Sequence, residues 1–520
     1  MGDSMTMERT SAVQNGIKRL ALTALSMLVE LVILFVFLLV LSDHAQWFLM
    51  LERLAGLMLV LMIYGKHETA SMKMPWIMLI LLLPIAGVMM YLLIGLNGST
   101  RRMRKRYEKV DELLLPLLDA NDAVIEKEAA KDRRLFNLSR YLHDHAGYPV
   151  YDDTKVTYYD DGAKGLEAQK EELGRAKDFI FMEYHAIEDA ESWQGLEEIL
   201  VERAKAGVEV RVFYDDMGSI GFINIDFVEK LKALGINCRV FNPFAPGMNI
   251  FLNNRDHRKI TVIDGQVGFT GGYNLANEYF HVTEPFGFWK DTGIKLEGSA
   301  VKSLTVTFLE IWNAISDENT LDKDVKRYLP KAERKEEEAG FVQPYADSPM
   351  DDIAVGEDVY ISVAELATEY AWFITPYLII TDEMSHALSM AAKRGVDVRI
   401  ITPGIPDKKI VYSLTRSYYN GLVRNGVRIF EYTPGFCHCK MSVTDDLLAT
   451  CGTINMDYRS LYHHFENGCL YADCEAVLET KRDFERTMAQ SREVTEQYRS
   501  GRGAFLRFGQ MLLRLVAPLM

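Results

Sequence analysis

The sequence predicts an α/β protein made of two copies of one domain, preceded by a helical hairpin that spans a membrane. Three observations carry this prediction. A polar motif occurs twice at identical spacing; strand-like and helix-like runs alternate from about residue 148 in an order that itself repeats; and the first hundred residues hold two long apolar runs.

The apolar runs come first in the chain. Leu20 to Leu41 is broken only by Glu30, and Met74 to Leu96 carries no charge, so each is long enough to cross a hydrocarbon core of about 30 Å. Glu30 is costly in lipid and is expected to face another helix or to mark a shifted span. Between the runs, Trp47 to Tyr64 is apolar but holds Glu52 and Arg53, and it reads as interfacial, re-entrant or a third span. Arg9, Lys18 and Arg19 precede the first run, and Arg101, Arg102, Arg104, Lys105, Arg106 and Lys109 follow the last. Both flanks therefore favour the cytoplasm, which calls for an even number of crossings, most simply two. Lys66 and Lys73 then fall near the outer face. The N-terminus lacks the short apolar core and small-residue cleavage site of a signal peptide, so it is expected to be retained.

Residues 101–147 mix charge with Leu113, Leu114, Leu117 and Leu118 in a helical pattern. They read as a linker helix laid along the membrane surface, its basic residues near anionic headgroups, or as a soluble spacer helix. The first domain is expected over 148–335. It runs through a strand at Phe179–Tyr184, a helix at Gly195–Ala206, a strand at Val208–Tyr214 and a helix at Phe227–Leu234. The second, over 336–500, repeats that order: Ala371–Ile374, a helix through Ala391, Gly395–Ile400, a helix near Tyr419–Arg424, and Gly426–Phe430. Gly207-Val208-Glu209-Val210-Arg211-Val212 pairs visibly with Gly395-Val396-Asp397-Val398-Arg399-Ile400, a long period that means a duplicated domain rather than a solenoid. The seam falls at the charged stretch Lys331–Gly340, which has no core face. Residues 501–520 close the chain with Phe505, Phe508, Leu512, Leu515 and Leu519 at helical spacing around Arg507 and Arg514. This is a basic amphipathic helix, in the headgroup layer or docked on the protein's own surface.

Composition excludes one class of partner. The net charge of −15 and pI near 5.3 argue against nucleic acid, which needs clustered Lys and Arg. The six cysteines show no disulfide-framework spacing and fit a reducing compartment.

The motif carries the chemistry. His257, Lys259, Asp264, Gly271-Gly272 and Asn274 recur as His438, Lys440, Asp445, Gly452-Thr453 and Asn455, so both copies read H-x-K-x4-D-x6-G-[GT]-x-N. In each copy His and Lys lie on or beside a strand two residues apart, and therefore share a face. An imidazole beside an ammonium suits a phosphoryl group: the Lys neutralises non-bridging oxygens while the His attacks phosphorus or moves a proton. An Asn a short loop later adds an amide donor. Asp264 precedes Gly265 as in a hairpin turn, and Asp445 sits comparably, so these aspartates are either catalytic or turn-forming. Cys437 and Cys439 flank His438 without any Cys/His set at zinc spacing, and no metal is expected.

The two motifs resemble those of the phospholipase D superfamily. Leu252-Asn253-Asn254-Arg255-Asp256-His257-Arg258-Lys259, Asn455-Met456-Asp457-Tyr458-Arg459-Ser460, Phe465-Glu466-Asn467 and the closing Arg514-Leu515-Val516-Ala517-Pro518-Leu519-Met520 are similar to the bacterial cardiolipin synthases within it. The resemblance implies two phospholipase D-like α/β sandwiches about a pseudo-twofold axis, in a bacterial inner-membrane protein with cytoplasmic catalytic domains. It implies phosphatidyl transfer between two phosphatidylglycerol molecules through a phosphohistidine, giving cardiolipin and glycerol, with no cofactor. A membrane-bound phospholipase D or another alcohol acceptor is the alternative within the superfamily. Outside it stands a non-catalytic lipid-binding scaffold, which would have no need of two complete motifs. By the same resemblance His257 is the nucleophile and His438 the acid and base, or, since the architecture is nearly symmetric, the reverse. Lys259, Lys440, Asn274 and Asn455 hold the phosphate, and Asp291 and Glu466 orient the histidines. Thr453 replaces the serine of many relatives and keeps the hydroxyl.

Overall fold

A computed structural model of the chain describes residues 13–499 except 23, 27, 30–31, 34–35, 37–45, 67–68, 93–97, 244–253, 317–321 and 332–339, together with 509, 513–515 and 517. Half of the Leu20–Leu41 run, residues Leu252 and Asn253, most of the seam and most of the C-terminal helix lie outside the described residues.

Two sheets share one plan. The first contains β1 (Lys155–Tyr159), β2 (Phe179–Tyr184), β3 (Glu209–Asp215), β4 (Asn237–Phe241), β6 (Lys259–Ile263), β7 (Val267–Gly271) and β8 (Gly293–Glu297), in the order β1-β8-β7-β6-β2-β3-β4. The second contains β9 (Phe341–Asp347), β10 (Tyr370–Ile374), β11 (Asp397–Pro403), β12 (Arg428–Tyr432), β13 (Met441–Thr444), β14 (Leu448–Gly452), β15 (His464–Ala472) and β16 (Ser491–Glu493). Its order β16-β12-β11-β10-β13-β14-β15, with β9 on β15, reproduces the first strand for strand and adds β16 at the edge. In both, the strand before the first helix–strand unit pairs parallel on one side and antiparallel with the motif strand on the other. The central strands are buried along their whole length, as expected when helices cover both faces.

The short strand β5 (Arg255–Asp256) belongs to the first half in sequence but pairs parallel with β15 of the second, Arg255 opposite His464 and Asp256 opposite Phe465. The mirror contact is a bridge between Lys290 and Cys437. These two backbone crossings bring the motif segments together.

The motif aspartates do not reach that junction, and their expected catalytic role is corrected. Asp264 and Asp445 sit at φ 53° and 52° in the tight turns after β6 and β13, each followed by a second residue at positive φ, Gly265 and Asp446. Their carboxylates accept N–H groups at the starts of β2 and β10: Lys177, Asp178 and Phe179 at 2.8–2.9 Å, and Thr368, Glu369 and Tyr370 at 2.7–2.9 Å. Arg134 also donates to Asp445, at 3.1 Å. The five residues of β6 separate Asp264 from Lys259 by roughly 15 Å of extended strand.

The N-terminal region also departs from expectation. Met74–Leu96 is not one span: helices Ala70–Leu82 and Pro84–Met90 are separated at Leu83, because Pro84 has no N–H to continue the ladder. The second piece folds closely on the first, so a Cβ at Gly87 would stand 2.6 Å from the Cα of Ile80. Trp47–Tyr64 forms a single helix, Gln46–Tyr64, that buries Leu59 and Ile63 against Ile80 and Tyr91 and turns Leu54, Met58, Leu61 and Met62 outward. Among the described residues no helix is long and apolar enough to cross a membrane.

The linker helix is three helices, Gly98–Leu114, Asp122–Lys131 and Arg133–Ala146. Their apolar residues Tyr107, Val110, Leu114, Leu135, Leu138 and Leu142 belong to the main core, so this segment docks on the α/β domains. Arg101, Arg102, Lys105, Arg106 and Lys109 stay exposed. Of the C-terminal helix, Ala517 is buried and Arg514 stacks on the Tyr418 ring at 4.3 Å.

A turn role for Asp445 has a measurable signature. Its carboxyl lies below the ordinary carboxylate range, because the Thr368 hydroxyl and three N–H groups outweigh the opposing effect of burial. A depressed carboxyl stabilises the fold above its unfolded value and ceases to do so as pH falls through the folded one. Asp445→Ala should therefore lower unfolding free energy by about 1–3 kcal/mol at neutral pH, shrinking towards zero in acid, with activity per folded molecule retained. Denaturant titrations at several pH values check it.

Candidate active site

The site forms where the two halves exchange backbone contacts. His257 N donates to Phe465 O at 2.8 Å, and His438 N donates to Lys290 O at the same distance. Each crossing delivers a carboxylate from one half to the imidazole of the other. His257 Nδ1 lies 2.9 Å from both oxygens of Glu466, and His438 Nδ1 lies 2.7 Å from Asp291 Oδ2. An ionised carboxylate only accepts, so in each ring it favours the tautomer with the proton on Nδ1 and the Nε2 lone pair free for chemistry.

The small-residue pair of each motif supports its own half's carboxylate. A Cβ at Gly272 would fall 2.1 Å from Asp291 Oδ1, so the backbone approaches because that residue has no side chain. At the matching position Thr453 donates its hydroxyl to Glu466 Oε2 at 2.5 Å. One copy supplies room and the other a hydrogen bond.

Lys259 and Lys440 are buried, and each donates to the carbonyl of its motif histidine, Lys259 at 2.6 Å. Lys440 Nζ also lies against the His438 ring, 2.7 Å from Nδ1 and 3.0 Å from Nε2. Burial and the neighbouring cations hold both imidazoles neutral. His257 sits well below its usual value through burial, then Lys259; His438 is pulled down to about 4 by burial and Lys440, against the opposing pull of Asp291. Burial lowers both lysines too, Lys259 to about 7 despite Glu466 nearby. Asp291 shows the reverse balance: burial works to raise it, yet His438, Lys440 and the Thr292 N–H hold it below the usual carboxylate range.

The two asparagines differ. Asn274 accepts from Ala186 N at 3.2 Å and donates to the Tyr279 hydroxyl at 2.8 Å, whereas Asn455 Oδ1 is buried without a hydrogen bond. Behind the motifs, Arg255 binds Asp215 at 2.8–3.0 Å. Arg258, fully buried, reaches the Glu466 carbonyl at 3.1 Å and the Tyr107 hydroxyl at 3.3 Å, which ties the first linker helix to the site. Lys290 holds Asp483 at 2.9–3.0 Å.

Sequence reasoning missed four rings. His185 and His464 flank His257 at centroid distances of 4.9 and 5.5 Å, and Tyr279 and Trp289 flank His438 at 5.3 and 5.4 Å. His185 directly follows β2, and His464 and Trp289 each stand two residues before an orienting carboxylate, which is the signal that would have found three of them. His257, His464 and Glu466 place ligand atoms within 4.8 Å of one another, the one metal-capable group among the described residues. Glu466 there already accepts from His257 and Thr453. Cys437 and Cys439 are buried with their sulfurs 4.0 Å apart, and burial raises the Cys439 thiol.

A duplicated α/β fold with two His/Lys pairs meeting at its centre defines a phospholipase D-like protein. A family profile described as "Cardiolipin synthase, PLD-like domain" matches residues 170–312 and 360–488, and one described as "Phospholipase_D-nuclease N-terminal" matches residues 54–95. The chain belongs to this cardiolipin synthase family of phospholipase D-like proteins. It is 32% identical to a cardiolipin synthase of Halalkalibacterium halodurans and 33% identical to one of Geobacillus kaustophilus, each over 89% of this chain and 91% of the relative. An uncharacterised protein of Streptococcus mutans is 40% identical over 88% of this chain and 98% of its own. The fold matches a crystal structure of phosphatidylserine synthase from Haemophilus influenzae with a TM-score of 0.55 at 13% identity, covering 74% of this chain and 99% of that one.

The close approach at Gly272 makes a test of positioning. Gly272→Ala should push Asp291 away from His438 and lower turnover of a phosphatidyl substrate about 100-fold, the scale of a 1 Å misplacement. Thr453→Ala, which removes a hydroxyl without inserting an atom, should cost less. Initial rates paired with melting temperatures separate loss of positioning from loss of fold.

Proposed function

We propose that this protein is a cardiolipin synthase that transfers the phosphatidyl group of one phosphatidylglycerol to another, giving cardiolipin and glycerol. The observation that carries this is the pair of buried imidazoles, each with Nδ1 on a carboxylate from the opposite half, in one site with two lysines.

His257 Nε2 attacks phosphorus, the phosphorus–oxygen bond to the glycerol headgroup breaks, and His438 gives that oxygen a proton. The phosphatidyl group then rests on His257. A headgroup hydroxyl of the second phosphatidylglycerol loses its proton to His438 and attacks phosphorus, releasing His257. His438 carries a proton in the first step because the phosphate anion beside it favours the charged imidazole. Lys259 and Lys440 neutralise the non-bridging oxygens, and Asn274 and Asn455 contact the same group. Glu466 and Asp291 stabilise the positive charge that each ring takes on. The lysines supply the charge that a metal would otherwise bring.

Two long apolar runs with basic flanks support anchoring of the N-terminal region in a bacterial cell membrane, with the catalytic domains on the cytoplasmic side. The oligomeric state does not enter the mechanism, since one chain holds both motifs.

Purified protein in detergent, given phosphatidylglycerol without divalent metal, should form cardiolipin and free glycerol in equal amounts by mass spectrometry. His257→Ala should abolish both. His438→Asn should slow turnover and leave a phosphatidyl adduct on the peptide containing His257. Phosphatidic acid and glycerol without cardiolipin would make water the acceptor and the protein a phospholipase D.

A further inference from the structure

We propose that two loops, one from each half, form a lip beside His438 that docks on the headgroup layer of an anionic phospholipid bilayer. The proposal rests on the phosphatidyl-transfer reading for its purpose, though not for its test.

The first loop, residues 281–288, exposes Val282 by 49% and Phe288 by 38%; the second, residues 404–410, exposes Ile405 by 39% and Ile410 by 60%. Around them most large side chains of the α/β domains are buried, so this group stands out. The loops touch. Phe288 N donates to Pro434 O at 3.1 Å, Ile405 N donates to Gly435 O at 3.3 Å, and a Cβ at Gly287 would meet Ile405 Cδ1 at 3.3 Å.

Both loops lead into the site. Phe288 precedes Trp289, whose ring is 5.4 Å from His438, and Lys290-Asp291, which holds that ring. From the second loop, Asp407 accepts from the Tyr377 hydroxyl at 2.5 Å, Tyr377 stands 6.4 Å from Phe436, and Phe436 stands 5.8 Å from His438. A headgroup at the lip is therefore one aromatic layer from the acid–base histidine.

Charge identifies the partner. The chain carries a net charge of −15, yet Lys408 and Lys409 are exposed between Ile405 and Ile410; Glu284 is the exposed acid of the first loop. Two lysines flanked by isoleucines, at the turn into the helix Lys409–Arg424, match a surface that is apolar below and anionic above. The loop after β3, beside His185, carries exposed apolar side chains as well. Arg19 binds Asp216 at 2.6 Å and Gly16 packs on Gly221, so the helix over residues 13–22 docks on the loop above His185. That helix turns Ile17 and Leu20 outward, and Ile225 projects beside it with 82% exposure. In the second half, Ser71 of the apolar N-terminal helices hydrogen-bonds Tyr458. The lip thus adds to the apolar surface that the N-terminal helices expose, and its loops lead directly into the segments around His438.

The test uses the full chain reconstituted into vesicles of equal parts phosphatidylcholine and phosphatidylglycerol. An environment-sensitive fluorophore on Ile410→Cys should shift to the blue and be quenched by a lipid-borne quencher, while one on the exposed Lys393→Cys should remain unquenched. A label at 410 as unquenched as that at 393 overturns the proposal. This readout needs no turnover, so it stands even for a chain that makes no cardiolipin. With turnover, Ile405→Ser/Ile410→Ser should raise KM for vesicular phosphatidylglycerol about tenfold, as expected for lost apolar insertion, and leave kcat/KM for a short-chain monomeric phosphatidylglycerol unchanged. Equal loss on both substrates would place these residues in general folding and refute the lip.

Discussion

Each motif imidazole is held by a carboxylate that belongs to the other half of the molecule, and the rest of the structure serves that exchange. Glu466 reaches His257 and Asp291 reaches His438 across a junction where β5 joins β15 and Lys290 bridges Cys437. Neither half holds a complete site. The duplication is thus more than two sites in one chain: each copy supplies the other with the hydrogen-bond acceptor that fixes its tautomer. The buried ion pairs behind the motifs, Arg255 with Asp215 and Lys290 with Asp483, fasten the segments that make the crossing. Such pairs contribute geometry more than net stability, since desolvation offsets much of their attraction.

Burial sets the chemistry of the junction. Four basic groups share a buried site with two carboxylates, so the protein lowers their affinity for protons rather than neutralising every charge. Lys259 near 7 and His438 near 4 describe a site poised for an anion. A phosphodiester restores the missing negative charge and with it the protonated forms that the second histidine and both lysines need. The same logic explains a lipid-facing rim around a polar centre: the substrate brings its own counter-charge on an apolar tether.

The repeat, the strands and the motif spacing were legible because each is a local pattern. His257 and Lys259 share a face for reasons of strand geometry alone, and the Asp264-Gly265 dipeptide carried its turn chemistry in plain view; the structure resolves its two readings in favour of the turn. The crossing was not legible, because Glu466 and His257 are 209 residues apart and no periodicity encodes which half a carboxylate will serve. The linker was misread for a different reason: Leu114 and Leu118 announce an apolar face, but such a face does not say whether lipid or protein will cover it. Hydropathy likewise gave Met74–Leu96 as one span by counting apolar residues, while Pro84 breaks the backbone ladder within it.

The claim most open to direct measurement is the crossing itself. Nitrogen NMR of histidine-labelled protein resolves rings protonated at Nδ1 and bound to a carboxylate from the remaining histidines. With the crossing in place, Glu466→Gln alters the His257 signal and leaves that of His438, while Asp291→Asn alters the His438 signal and leaves that of His257, with His257→Ala and His438→Ala giving the assignments. If instead Glu466→Gln disturbed His438 and Asp291→Asn disturbed His257, each half would be orienting its own histidine, and the account of the site would fail.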